Sequence, residues 1–507
     1  MVNTRNVIKC QGNLTVGIIL ILLLSACNSN NEKEDDDSFL EVAQDFADSI
    51  IEHGRDEYGA KYSPMFASVL NRQTMKLEDP DNIPQIKGVR VKDRSLTGGN
   101  MIHDIDLFQL LYDLSIETGN DKYAAEADRA IQFFFTNCQS PATGLMAWGE
   151  HIFWDFHRDQ AGYAPNFDFH EMKEWPFWDQ CYELAPEQSW TFAINEWDHQ
   201  IHDQETGDFS RHARYTEHET FSGFDFPRYA GQMIERWVEA YNRPENANRP
   251  RSKDLLSAIG VLFNRMVENT KLSKAGLLIA GRSPEGDHNS VVWLTSNLEL
   301  ARCLELAAPT MEPGLGHQMK EFALKQDWDF LKAPHKLDSV GGGFSVTLHA
   351  ETGLPRTRSM NKPYSSTWST GYGYGTHAGT ANTSYGRYKS ISKDHPEMAK
   401  TYKELILLAG NKYLESVPDT TKLLKPAEFS QVIELMLNCH ELTGNIQYIE
   451  RAIFIAKFGI DLFLNDGLPL PKVSNQHDHY ESITGGPSFM FQILRLHVRL
   501  KETKEDL

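Results

Sequence analysis

Glu117-Thr118-Gly119-Asn120-Asp121-Lys122-Tyr123 lies between two stretches with helical hydrophobic spacing, Ile105 to Glu117 and Tyr123 to Phe135. The device recurs far downstream as Leu442-Thr443-Gly444-Asn445-Ile446-Gln447-Tyr448. A glycine just past a helical run is a C-cap signal, because only glycine enters the left-handed region without a Cβ penalty. Two copies of helix, TGNxxY, helix predict αα-hairpins at both ends of the chain. Further helical periodicity covers Phe226 to Tyr241, Leu255 to Glu268, Ser296 to Leu306, His317 to Leu331, Pro396 to Glu415 and Phe429 to Leu442. Strand-like alternation is scarce, with short β pieces expected near Gly342 to His349. Helices in series predict an all-α fold, an (α/α) barrel or toroid of six or seven hairpins with small β elements in its loops. An open solenoid would carry a more regular repeat. Four long segments rich in polar and aromatic residues interrupt the helices: Thr143 to Glu183, Gly207 to Phe226, Ala280 to Val292 and Ser365 to Tyr388. Such loops on a helical scaffold are where sites reside.

The N-terminus is of another kind. Arg5 and Lys9 precede an apolar run from Leu14 to Leu24, followed by Leu24-Ser25-Ala26-Cys27. Basic, apolar, then small is the layout of a secretory signal, and the run is short for a bilayer span. A cysteine directly after the cut is the signature of bacterial lipidation. The expected organisation is a signal over 1–26, an acidic flexible tether over 27–38 starting at lipidated Cys27, and a catalytic domain over 39–507. That places the protein in the cell envelope, anchored to the outer membrane by lipid, on its periplasmic or its outer face.

The 507 residues carry a net charge of −20, and loss of the signal removes two cations and no acid. Nucleic-acid phosphates demand a basic footprint, so a nucleic-acid partner is excluded. A local basic cleft can still take an anionic substrate. Beyond Cys10 and Cys27 there are four cysteines, Cys138, Cys181, Cys303 and Cys439, without CxxC spacing. An oxidising compartment permits disulfides, but the sequence does not pair them.

Three pieces carry candidate chemistry: Trp148-Gly149-Glu150-His151-Ile152-Phe153-Trp154, Phe167-Asp168-Phe169-His170-Glu171-Met172-Lys173, and Phe209-Ser210-Arg211-His212-Ala213-Arg214-Tyr215. Imidazole and carboxylate donors suit a divalent cation such as Mn²⁺, Zn²⁺, Ni²⁺ or Co²⁺. Salt bridging of Arg211 and Arg214 to acids such as Asp208 and Glu217 is the competing account of that third piece. Arg282, in Ala280-Gly281-Arg282-Ser283-Pro284, is a candidate carboxylate binder. Tyr372, Tyr374, His377 and Tyr385 lie in a Gly-rich stretch, Ser369 to Tyr388, expected to line the cleft. This stretch contains no GxxxxGK[ST] and is not a phosphate loop. Trp148, Trp154, Trp175 and Trp178 are candidates to stack on sugar rings or to pack in the core.

These pieces resemble the motifs of polysaccharide lyase family 2, the periplasmic pectate lyases, as scattered matches across most of the chain. The family has a Gly-His loop, a His-Glu-hydrophobic-Lys segment and an Arg-His pair. The intervals of 20 residues from His151 to Glu171 and 41 from Glu171 to His212 resemble the family's ligand spacing. His479-Tyr480-Glu481-Ser482-Ile483-Thr484-Gly485-Gly486 resembles another family segment, and Tyr480 in it is a candidate substrate contact. The departure is Glu150, which stands where the family has glycine and brings an extra carboxylate to the candidate metal site. The resemblance implies an α/α barrel that cleaves a pectate-like acidic polysaccharide by β-elimination. It implies His151, Glu171 and His212 as ligands of Mn²⁺ or another transition metal, with Arg211 as the base. Arg214 would bind a substrate carboxylate. Two other readings stay open on the same scaffold. One is a six-hairpin glycoside hydrolase using two of Asp155, Asp168, Glu171 and Glu217. The other is a non-catalytic glycan-binding lipoprotein.

Overall fold

A computed structural model describes residues 38–163, 174–223, 225–281, 288–357, 363–368 and 375–505. The signal, the tether and Cys27 lie outside the described residues. The described residues form fourteen α-helices and nine short strands. The helices are α1 (38–53), α2 (Ile105–Thr118), α3 (Lys122–Asn137), α4 (Trp178–Leu184), α5 (Pro186–Gln200), α6 (Pro227–Asn242) and α7 (Ser252–Thr270). The second half of the chain supplies α8 (Leu294–Ala307), α9 (Pro313–Leu331), α10 (His377–Ile391), α11 (Pro396–Leu414), α12 (Pro426–Thr443), α13 (Ile446–Phe463) and α14 (Gly486–Glu505).

Burial sorts them into two layers. On α12, Phe429, Val432, Ile433, Leu435, Met436, Leu437 and Cys439 are all buried, so the helix is enclosed on every side. On α13 the buried residues Tyr448, Ile449, Ala452, Ile455, Ala456, Gly459 and Phe463 form a single stripe. Enclosed helices belong inside and striped ones outside. The inner helices pack side by side, α6 on α8, then α10, α12, α14 and α2. Short α4 spans the remaining gap. Phe177 at its start meets Phe108 and Tyr112 of α2, and its Trp178 ring lies beneath Arg236 of α6. Ring closure is covalently remote: Lys501 Nζ of α14 reaches Glu117 Oε1 of α2 at 2.6 Å, with His497 Nε2 3.3 Å from the same oxygen. Outside, α3, α5, α7, α9, α11 and α13 succeed one another, and α1 joins them through Asp48 on Lys122. The fold is an (α/α) barrel with seven inner and seven outer helices.

The two TGN motifs make the same turn. Gly119 and Gly444 adopt φ of 67° and 69° at the ends of α2 and α12. Thr118 and Thr443 hydroxyls bond back to the carbonyls of Leu114 and Cys439, and also accept the N–H groups of Asn120 and Asn445. Those asparagines each accept an N–H from two residues on and start the next helix, while Tyr123 and Tyr448 bury against the core.

Connection length alternates. Inner helices lead to outer ones through short turns, 119–121, 185, 243–251, 308–312, 392–395 and 444–445. Outer helices return to inner ones through the long segments 54–104, 138–177, 201–226, 271–293, 332–376, 415–425 and 464–485. The described parts of the long segments therefore gather at one end of the barrel, where the inner helices begin. Helix N-termini carry partial positive charge, so this end favours anions.

Small sheets knit the long segments together. β1 (Val69–Leu70) pairs antiparallel with β9 (Tyr480–Glu481), and β2 (Gly98–Gly99), β3 (Ile152–Asp155) and β4 (Gln160–Tyr163) form a three-stranded sheet. β5 (Ile201–Asp203) pairs with β6 (Asp208–Phe209), and β7 (Val291–Trp293) with β8 (Thr347–His349), the latter within the expected β region. The Gly-rich segment departs from expectation. From His377 onward it is helix α10, not loop. Its small residues Ala378, Ala381 and Ser384 are fully buried, so close packing in the inner ring overrides weak helix propensity. Cys138, Cys181, Cys303 and Cys439 are buried free thiols. No helix among the described residues is long and apolar enough to cross a membrane.

Candidate active site

His151 stands just before β3, in the long segment that follows α3. Asn100 fixes its approach by donating from Nδ2 to the Gly149 carbonyl at 2.7 Å. The ring is buried, 2% exposed, and Nδ1 faces two acceptors, Asp93 Oδ1 at 2.8 Å and the Lys92 carbonyl at 3.3 Å. Two acceptors on one nitrogen assign the proton to Nδ1, so Nε2 is the basic nitrogen. Glu150 Oε2 lies 3.6 Å from Nε2. Asp93, Glu150 and His151 each present one ligand atom, all within 4.8 Å of one another. Arg90 bridges the two acids, pairing with Asp93 through Nε and with Glu150 through Nη2. Burial alone would push the Asp93 carboxyl up. Hydrogen bonds from His151 and Arg90 outweigh it and hold the group below its ordinary value. A general acid needs the opposite shift.

The segment carrying Arg90 and Asp93 is pinned from below. Arg94 Nε bonds Glu481 Oε2 at 3.0 Å and Nη2 pairs with Oε1, which also meets His479 Nε2 at 2.6 Å. Arg90 and Asp93 carry no motif in the sequence. They arrive because Arg94, one residue on, is buried, and because β1 joins the first long segment to the last while β2 joins it to the segment that carries His151. Glu481 lies inside the recognised 479–486 segment, but its neighbour Tyr480 corrects an expectation. Tyr480 is 1% exposed and packs on Phe46 of α1, so it is a core residue and not a substrate contact.

Arg211 and His212 follow β6. The Ser210 hydroxyl accepts the His212 N–H at 3.0 Å, and Gln200 Nε2 donates to the Arg211 carbonyl. The Arg211 guanidinium sits 5.2 Å from the Phe226 ring, at the start of α6. Arg214 pairs with Glu219 at 3.1 Å and stands over Phe221, whereas Asp208 pairs with Arg265. Thr143 Oγ1 donates to the Tyr215 carbonyl at 2.5 Å and Tyr215 Oη to the Cys138 carbonyl at 3.1 Å. These bonds tie the Arg211–His212 segment to the one that leads into His151. Glu171, Arg282 and Tyr374 lie outside the described residues.

His377 is buried at the start of α10, with Nδ1 2.6 Å from Ser365 Oγ. It lines a cavity of about 580 Å³ with Tyr364, Ser366, Lys412 and Ser416. Burial lowers its pKa to about 4, so the ring is neutral. Trp148, Trp154, Trp175 and Trp178 are all buried. Trp148 packs on Phe134, Phe135, Trp175 and Phe192, which makes this a core cluster and not a sugar platform. Asp155 accepts from Thr97 Oγ1 at 2.7 Å and pairs with Arg158, a turn-stabilising role.

A family model described as periplasmic pectate lyase matches residues 85–236. That span, under a third of the chain, contains Asp93, Glu150, His151, Glu171, Arg211 and His212. Among solved structures, the chain is similar to a D-mannose isomerase, with TM-score 0.47 and 9% identity over 92% of this chain and 98% of that one. It is similar to a glycoside hydrolase family 76 mannosidase from Bacteroides thetaiotaomicron, with TM-score 0.46 and 11% identity over 92% and 100%. It is also similar to the unsaturated glucuronyl hydrolase of Bacillus sp. GL1, with TM-score 0.44 and 11% identity over 91% and 96%. Over the segment that carries the candidate site, the chain is similar to a carbohydrate-processing enzyme family.

Proposed function

We propose that this protein is a metal-assisted polysaccharide lyase that cleaves a pectate-like uronate polymer or oligosaccharide by β-elimination. The observation that carries this reading is the family match over 85–236, which encloses the whole candidate ligand and base set. The positive ends of the inner helices at the same end of the barrel support an anionic substrate.

In a polyuronate the C5 hydrogen is α to a carboxylate and is a poor acid. His151, Glu171 and His212 would hold a divalent cation, and the basic Nε2 of His151 beside Glu150 Oε2 fits such a group. When bound, the cation supplies Lewis acidity at the substrate carboxylate, where charge builds as the proton leaves. Arg211 takes the C5 proton. The electron pair forms the C4=C5 double bond, and the C4–O bond breaks with its electrons on the departing oxygen. Guanidinium normally stays protonated, and it serves as a base only where neighbouring positive charge disfavours its charged form. His212, the adjacent residue, brings that charge close. Arg214, half-exposed and paired with Glu219, would bind a substrate carboxylate bidentately in exchange for Glu219. The N-terminal segment is read as a signal and acidic tether, with lipid on Cys27 holding the enzyme at the envelope.

The test is incubation with polygalacturonate, with and without chelator, while following the ultraviolet band of the C4=C5 uronide. Growth of that band, stopped by chelator, is expected. New reducing ends without the band would replace the lyase with a hydrolase, and binding without new ends would leave a glycan-binding protein.

A further inference from the structure

We propose that Glu150 is itself a ligand of the cation, that Asp93 is the positioning residue that aims His151 at it, and that the pair selects Mn²⁺ over softer metals. The proposal rests on the metal-assisted reading above.

The oxygens of the two acids divide between Arg90 and His151. Arg90 engages one oxygen of each acid, Glu150 Oε1 and Asp93 Oδ2. The other oxygens go to opposite sides of one imidazole: Asp93 Oδ1 to Nδ1 at 2.8 Å, and Glu150 Oε2 toward Nε2 at 3.6 Å. Arg90 thus works as a strut that sets both carboxylates against His151 at once.

The Nε2 to Oε2 separation is that of two donors on one metal. Two donors about 2.1 Å from one metal, at 90° to 120° between them, lie about 3.0 to 3.7 Å apart. The observed 3.6 Å falls in that interval, so the separation of the two atoms suits one shared cation. Asp93 stands on the other side of the ring, its Oδ1 2.8 Å from Nδ1, which suits a supporting role behind the ligating nitrogen. It does what carboxylates do behind metal-bound histidines: it fixes the tautomer and the orientation of the ring.

Charge points the same way. Arg90 lies next to the site and would repel a cation, and Glu150 offsets it directly. A further carboxylate oxygen makes the donor set harder, which favours Mn²⁺ relative to Zn²⁺ or Ni²⁺. A glycine at this position would supply neither the donor nor the offset.

The experiment uses the full chain in detergent. Mn²⁺ is titrated and the free ion followed by electron paramagnetic resonance, with Zn²⁺ competition as a second readout. Wild type, E150Q, D93N and D93A are compared, each with its metal-free melting temperature. In E150Q, Mn²⁺ affinity is expected to fall about tenfold or more, the preference to move toward Zn²⁺, and melting to stay unchanged. Affinity is expected to fall from wild type to D93N to D93A without following the melting temperatures, because Asn keeps an acceptor oxygen and Ala does not. Wild-type affinity in E150Q would overturn Glu150 as a ligand and leave the lyase reading standing. Losses in the Asp93 variants that merely track melting would overturn the positioning role. A wild-type chain that binds no divalent metal would overturn this proposal and the metal-assisted reading together.

Discussion

Arg94 and Glu481 are 387 positions apart and meet as a buried pair beneath His151's neighbour Asp93. This pair joins the first long segment of the barrel to the last. Both side chains are almost wholly out of solvent, and a buried charge deprived of its partner is costly. Glu481→Gln is therefore expected to lose about 3–5 kcal/mol of stability in urea denaturation, with loss of metal affinity as the 90–95 segment loosens. A change below about 1 kcal/mol would show that the pair does not hold the segment.

Gly98 supports the same region from the other side. In β2 it faces β3, and a Cβ added there would meet the Trp154 carbonyl oxygen at 1.8 Å. That oxygen is backbone inside a paired strand and cannot swing away as a side-chain tip would. Gly98→Ala should force β2 from β3 and cost about 1–3 kcal/mol by overpacking. Exchange of the Ile152 to Asp155 amides should rise more than that of α12. Uniform exchange across both would argue against a local effect.

Arg211 and His212 are neighbours with different expected failures. His212→Ala should weaken Mn²⁺ binding. Arg211→Ala should leave Mn²⁺ binding intact and lower turnover by about 10²–10⁴-fold, the range for loss of a positioned base. Calorimetric titration and the uronide band measure the two effects separately. Full turnover in Arg211→Ala would reject the base, and unaltered metal binding in His212→Ala would reject the ligand.

The parts of this molecule that were legible in its sequence are those set by local rules. TGNxxY dictates its turn through a left-handed glycine and an asparagine side chain that accepts the N–H two residues on, and both copies form hairpins. The amphipathic outer helices announce themselves by period, as α3 and α11 do. The inner helix α10 does not, because its packing partners lie all round it and its glycines and serines mimic a loop. The same limit applies to the site. His151, Arg211 and His212 stand in recognisable motifs, whereas Asp93 and Arg90 reach His151 only through a buried pair with residue 481. Burial also removes Tyr480 and four tryptophans from the surface, a matter of three-dimensional packing that aromatic content does not reveal.

Acid should weaken the fold through two buried histidines. His335 is held as a neutral ring by two complementary bonds: Nδ1 accepts the Ser345 N–H at 3.1 Å and Nε2 donates to the Phe330 carbonyl at 2.9 Å. A second ring proton would point at the Ser345 N–H. In His377, Nδ1 lies 2.6 Å from the Ser365 hydroxyl, which itself accepts the Phe344 N–H at 2.9 Å. Burial lowers both from 6.5 to about 4. The unfolded chain takes up these protons below about pH 6.5, while the folded chain holds out until about pH 4, so in between the unfolded state binds more protons. Stability therefore falls as pH falls through this window, by on the order of 1–2 kcal/mol for each ring by pH 5. Urea midpoints measured from pH 7 to about pH 5 should decline, and His335→Gln should decline less steeply because only His377 remains of the two. Equal slopes in the variant and wild type would show that His335 takes up its proton in the folded state as readily as in the unfolded one.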